Sequence, residues 1–157
     1  MSSTKPAKMN VVHVVIASDH GGFTLKKEVL SALKKLGVTF KDLGTHSEES
    51  VDYPDFAKQV AEKVASGKAD RGILICGTGA GMCIAANKFK GIRASLVPDL
   101  YTAQMTREHN DLNVLCLGGR VTPAETAKEI TKIFLETPFA GGRHERRVGK
   151  IKNFENK

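Results

Sequence analysis

The chain has 157 residues, of which 41% are hydrophobic and 26% charged, enough apolar material for one domain with a core and too little length for two. No run approaches the roughly 18 to 20 apolar residues of a membrane span, and the N-terminus lacks the apolar stretch of a signal peptide, so a soluble cytoplasmic protein is expected. The formal charge of +7 is concentrated at one end, with six Lys or Arg against two Glu between Gly141 and Lys157. Such a tail suggests nucleic acid, but the chain has no Trp and only two Tyr, and shows no aromatic platform for stacking bases. Gripping a small anion or docking on another subunit are the alternatives.

Met1 to Asn10 reads as a disordered lead-in, and 11–140 as a single domain in which Val/Ile-rich runs alternate with helical patterns, the mark of βα units and a parallel sheet. Val11 to Ala17 is a first strand buried on both faces, ending in Ser18-Asp19-His20-Gly21-Gly22. Phe23 to Leu36 is a helix with an apolar stripe and its lysines outside, closed by Gly37. Val38 to Leu43 is a second strand. A polar loop from Gly44 to Asp52 leads to Tyr53-Pro54 and a helix from about Asp55 to Ala65; His46 to Ser50 in that loop suggest no role.

The stretch Arg71 to Asn87 carries the strongest local signal. Ile73-Leu74-Ile75 reaches Cys76, breaks into Gly77-Thr78-Gly79-Ala80-Gly81, and restarts as a helix from Met82. Glycines let backbone approach a ligand, and free N–H groups at a helix start favour an anion and a thiolate, so Cys76 is placed at the mouth of a candidate site. Three cysteines, Cys76, Cys83 and Cys116, form no C-x-x-C pair, which suggests reduced thiols and no zinc site.

Ile92 to Val97 is a fourth strand, followed by a helix from Pro98-Asp99 through Arg107 that ends in the polar run Glu108-His109-Asn110-Asp111. Val114 to Leu117 is a fifth strand, ending at Gly118-Gly119-Arg120. Thr122-Pro123-Ala124-Glu125 has the form of a capping box for the next helix. Past Pro138 and Gly141-Gly142, 141–157 reads as a basic helix packing at a dimer interface. The fold expected is a three-layer αβα, Rossmann-like domain with a five-stranded parallel sheet in the order 2-1-3-4-5. That order brings His20, Cys76, Asp99 and Arg120 to one edge, where open α/β sheets bind ligands.

ASDHGG, DYPDFA, ILICGTGAGMCIAANK, REHND, LCLGGR and GGRHERRV, in this order from Val12 to Val148, resemble the ribose 5-phosphate isomerase type B family, which includes galactose-6-phosphate isomerase subunits. The resemblance implies interconversion of ribose 5-phosphate and ribulose 5-phosphate through a cis-enediolate, a step of the pentose phosphate pathway. It makes Cys76 the base and His109 the ring opener, with Thr78 assisting the thiol. A related subgroup uses a glutamate a few residues on, but positions 80 and 85 are both alanine here. Asn110 and the N–H groups of Gly77, Gly79 and Gly81 would face the enediolate oxygen, a role worth about 3 to 4 kcal/mol per donor. Asp19 and Tyr53 resemble contacts to sugar hydroxyls, while His20, Arg120, Arg143 and Arg147 are the phosphate candidates. At i,i+4 on a helix Arg143 and Arg147 share a face, and Arg146 points partly away.

The family also implies a homodimer with active sites shared between chains, with a tetramer left open. No cofactor and no metal is expected. A nucleotide-binding module is the rival, since a glycine turn follows a strand and Asp99 ends the next one. The spacing is G-x-G-x-G rather than G-x-G-x-x-G, however, and no substrate domain remains. Six-carbon sugar phosphates remain an alternative substrate class.

Overall fold

A computed structural model describes residues 13–156. The expected lead-in Met1 to Asn10, with Val11, Val12 and Lys157, lies outside the described residues. The elements run β1 (His13–Ser18), α1 (Phe23–Leu36), β2 (Thr39–Asp42), α2 (Tyr53–Ala65), β3 (Arg71–Cys76), α3 (Ala80–Ala86), β4 (Ala94–Leu96), α4 (Leu100–Asn110), β5 (Val114–Gly118), α5 (Ala124–Glu136) and α6 (Arg143–Asn153). Short 3₁₀ turns follow β1 at His20–Gly22 and α6 at Phe154–Asn156.

All five strands are parallel, as the βα alternation requires, but their order is β2-β1-β3-β5-β4. The expected 2-1-3-4-5 is thus corrected at its last two places. β5 is buried at all five positions, whereas β4 has three residues, each half-buried. The fully apolar strand takes the inner place, and the short one, which exposes its outer side, takes the edge.

Side chains alternate between two apolar layers. Val14, Ile16, Ile73, Ile75, Leu115 and Leu117 face one side with Val29, Leu33, Ile130 and Phe134 from α1 and α5. Val15, Ala17, Leu74, Cys76 and Cys116 face the other with Ala57, Val60 and Ala61 from α2 and Met82 from α3. Each fully buried Val, Leu or Ile contributes about 1.5 to 3 kcal/mol, so these two layers hold the strand ends in register.

Two local expectations fail for identifiable reasons. Thr122 does not cap α5, whose N-cap is Pro123 with no side-chain bond. Its N–H, with that of Val121, closes a turn on the Gly118 carbonyl, so the chain is still leaving β5 when it reaches the threonine. The lysines of α1 are not all outside either. Lys26 is 1% exposed, and its Nζ donates to Asp42 Oδ1 at 2.7 Å and to the Thr45 carbonyl at 2.6 Å. It lies in the first turn of α1, beside the end of β2, where a buried ammonium finds both partners. The helix expected to stop at Arg107 continues through Asn110, because Asp111 accepts the left-handed cap position at φ 49°.

Candidate active site

The ends of β1, β3 and β5 are welded together by glycines that leave no room for a side chain. A Cβ at Gly22 would collide with the Ile75 carbonyl, and one at Gly119 with the Gly21 carbonyl. Backbone bonds complete the joint: Asp19 N–H to Ile75 O at 3.2 Å, Gly119 N–H to Cys76 O at 2.7 Å and Arg120 N–H to Gly77 O at 3.0 Å. Three loops separated in sequence therefore form one rigid shelf.

Cys76 sits on the floor of that shelf rather than at an open mouth, 4% exposed at the last position of β3. The Gly79 N–H donates to its Sγ at 3.2 Å, from a residue whose φ of 85° suits glycine. The Tyr53 ring, at the start of α2, covers Gly81 so closely that a Cβ there would lie 2.6 Å from Cζ. The Arg120 guanidinium covers Gly77, its Nη1 3.1 Å from a Cβ built on that glycine. Thr78 is exposed and accepts the Ala80 N–H on Oγ1 at 3.3 Å. Asp19 is 7% exposed and accepts the Gly22 N–H at 3.1 Å, capping the 3₁₀ turn that contains His20.

His20 has a partner that sequence did not suggest. The Val51 N–H donates to its Nδ1 at 3.2 Å, which leaves the ring hydrogen on Nε2. The loop from Gly44 to Asp52 is thus a brace. Thr45 N–H and Ser18 N–H exchange bonds with Ser18 O and Gly44 O at 2.8 Å each, and Lys26 and Asp42 hold the loop from below. Ser18 Oγ is buried without a partner.

The remaining expected residues lie elsewhere. α4 runs antiparallel to the strands, starting at Asp99 beyond the end of β4 and finishing beside the residues that precede β4 and β5, where Arg93 Nε donates to the Asn110 carbonyl at 3.1 Å. Its 11 residues span about 16 Å. His109 and Asn110 therefore stand at the opposite edge of the sheet from Cys76. There they join Arg143, His144, Arg147, Val148 and Ile151 of α6 around a cleft of about 250 Å³. Arg146 is absent from that lining, as the i,i+4 argument requires. Asp99, at the Cys76 edge, is the N-cap of α4, accepting from Thr102 N at 2.7 Å and from Thr102 Oγ1 at 3.0 Å.

The sequence gives His144 no role, yet its ring stacks on His109 with centroids 4.1 Å apart and planes within 12°. Desolvation lowers its pKa below the ordinary histidine value. His109, Arg143 and Arg147 act in the same direction, and Glu108 opposes them. No local spacing signals this pairing, since stacking between α4 and α6 needs the tertiary contact. α6 is anchored there by buried Val148 and by the Ala140 N–H to Glu108 O bond at 3.0 Å.

The model of the ribose/galactose isomerase family matches residues 14–151. The chain belongs to this family. It is 49% identical to Escherichia coli ribose-5-phosphate isomerase B over 92% of this chain and 97% of that protein. Its fold superposes on Clostridium thermocellum ribose-5-phosphate isomerase B with a TM-score of 0.90 at 54% identity, covering 92% and 98% of the two chains. The corresponding values for the Mycoplasma genitalium enzyme with bound ribulose-5-phosphate are 0.89, 46%, 93% and 97%.

In this family member the candidate groups fall into two sets that one chain does not bring together. Asp19, His20, Tyr53, Cys76, the glycine turn and Arg120 form the first. His109, Asn110, Arg143 and Arg147 form the second. Around the first set Tyr53, Ile84, Leu100, Tyr101 and Val121 are apolar and exposed, Tyr101 by 73%. Among the described residues no group of three or more His, Cys, Asp or Glu has a metal-holding arrangement, and no helix is long and apolar enough to cross a membrane.

Proposed function

We propose that the chain is an aldose–ketose isomerase interconverting ribose 5-phosphate and ribulose 5-phosphate, in a site built from the first set of one subunit and the second set of another. The observation that carries the shared site is the direction of α4, which puts His109 and Cys76 at opposite edges of the sheet. The exposed apolar side chains around the Cys76 shelf support a second copy seated there. A two-fold pairing would complete two sites at once.

In this reading His109 of one subunit takes the anomeric hydroxyl proton and returns one to the ring oxygen, opening the sugar. The Cys76 thiolate of the other subunit removes the proton from carbon 2 as the carbonyl at carbon 1 becomes the enediolate oxygen. The same sulfur then delivers the proton to carbon 1, and a proton moves from the oxygen on carbon 2 to that on carbon 1. Donors from the glycine turn and the Asn110 amide stabilise the charge that develops between these steps. The burial of Cys76 suits this work, since water would otherwise exchange the carried proton. Asp19 and Tyr53 contact sugar hydroxyls and Thr78 assists the thiol. His20, Arg120, Arg143 and Arg147 hold the phosphate and so place the reacting carbons. The 141–157 segment serves as the subunit-crossing element.

The test is turnover of ribose 5-phosphate by the wild type and by Cys76→Ala, with allose 6-phosphate and galactose 6-phosphate alongside. Mixing Cys76→Ala chains with Arg147→Ala chains then examines the sharing. Half of the sites in such a heterodimer combine two intact sets, so activity returns when measured at ribose 5-phosphate well below KM, where each variant alone is nearly silent. Silence across a verified heterodimer population would refute the shared site.

A further inference from the structure

A pair of thiols lies in the same apolar layer as Cys76. Cys83, in the first turn of α3, has its Sγ 3.6 Å from the Ala94 carbonyl and 3.6 Å from Asn87 Nδ2. Ala94 of β4 pairs with Val114 of β5, and Leu96 with Cys116, so this sulfur touches the strand next to the one that carries Cys116. Val114 and Cys116 face the α2 and α3 layer, with Cys83 packed against them. The two thiols are near enough for each to shift the other's ionisation. Cys116 is fully buried, whereas Cys83 is only half-buried and open to small reagents.

We propose that Cys83 and Cys116 form an oxidative modification site, a thiol pair that a hydroperoxide converts into an intramolecular disulfide joining α3 to β5. Cys83 reacts first. Its thiolate attacks one peroxide oxygen, the O–O bond breaks, and the other oxygen leaves as hydroxide (alkoxide from an alkyl hydroperoxide), which takes up the proton that Cys83 released on ionising and departs as water or alcohol, giving a sulfenic acid. The Cys116 sulfur then attacks the Cys83 sulfur and displaces hydroxide, which takes the Cys116 proton and leaves as water. Two thiols lose two electrons, one hydroperoxide gains them, and the S–S bond is the product.

The division of labour follows from the surroundings. The neighbouring Cys116 thiol lowers the Cys83 pKa to about 6, with the Leu96 backbone and Asn87 helping against burial. The same contact, together with burial, raises Cys116 well above the ordinary thiol range, so it resolves rather than initiates.

Closing the bond draws the sulfurs together to about 2 Å. α3 must follow, and α3 begins at Gly79, whose N–H meets the Cys76 sulfur. On the reading of Cys76 given above, a shift of that size lowers turnover about tenfold or more, reversibly with dithiothreitol. The bridge itself does not depend on that reading.

The experiment treats the reduced full-length protein with one equivalent of hydrogen peroxide and records intact mass. Wild type and Cys76→Ala should each lose about 2 Da, the mass of two hydrogens, and regain it with dithiothreitol. Cys83→Ser should not lose it, and being half-exposed it keeps the test valid if the core variant Cys116→Ser fails to fold. Gain of oxygen on Cys83 without a bridge, loss of the bridge in Cys76→Ala, or no reaction overturns the proposal. Bridging with unchanged turnover overturns the coupling to Gly79. Absence of ribose 5-phosphate turnover in the reduced protein defeats the functional reading while leaving the mass result intact.

Discussion

The Cys76 shelf and the His109 corner sit at opposite edges of one sheet and are built in opposite ways. The shelf is backbone pressed on backbone, with glycines at contact and a cysteine closed under a turn. The corner is made of side chains on two helices, mostly exposed, fixed by one ring stack and one buried valine. The contrast teaches that a sheet edge with glycines at contact fixes its groups tightly, while a helix end held by few contacts leaves its charged side chains room to reach.

The largest expected break is Cys76→Ala, which should lower kcat by about 10³-fold, roughly 4 kcal/mol, with KM little changed. Steady-state kinetics on ribose 5-phosphate checks it, and an equal rise in KM would show that the shelf, not the base, had been damaged. Next is Lys26→Met beneath the shelf. It leaves the Asp42 carboxylate and the Thr45 carbonyl without their buried cation, and should cost about 3 kcal/mol in urea unfolding. A near-neutral result would mean that the brace under His20 does not depend on the ion pair.

At the corner, Arg147→Ala should raise KM by about 30-fold, roughly 2 kcal/mol, with a smaller change in kcat. If kcat falls and KM holds, the guanidinium acts on the reacting end instead. The smallest effect concerns His144. Its pKa is lowered in the folded chain, so the unfolded chain binds the extra proton first as pH falls, and stability is complete above the ordinary histidine value near 6.5 and lost below it. Denaturation between pH 7 and pH 5 should show this slope, and His144→Phe, which keeps a ring over His109, should flatten it.

The shelf was the more legible half. Val/Ile runs ending in glycine and polar residues announce strand ends, so His20, Cys76 and Arg120 were traceable to one edge from letters alone. The order of β4 and β5 was not, because a crossover helix records handedness but not which of two strands ends up inside. Burial decided that. Helical spacing alone puts Lys26 on the surface, because it sees a face of the helix and not the neighbouring loop that reaches over it. The Thr122 cap failed where a turn claimed the same N–H. The His109–His144 stack and the contact between Cys83 and Cys116 join residues far apart in sequence, and no local pattern carries them.

The Val51 bond to His20 limits what may replace that histidine. A ring that receives a backbone hydrogen on one nitrogen has only the other left to offer, so a replacement must still accept from Val51. Asparagine can both take and give on one short arm and should keep the loop in place. Lysine gives only, and would add positive charge at the cost of setting the 44–51 segment adrift.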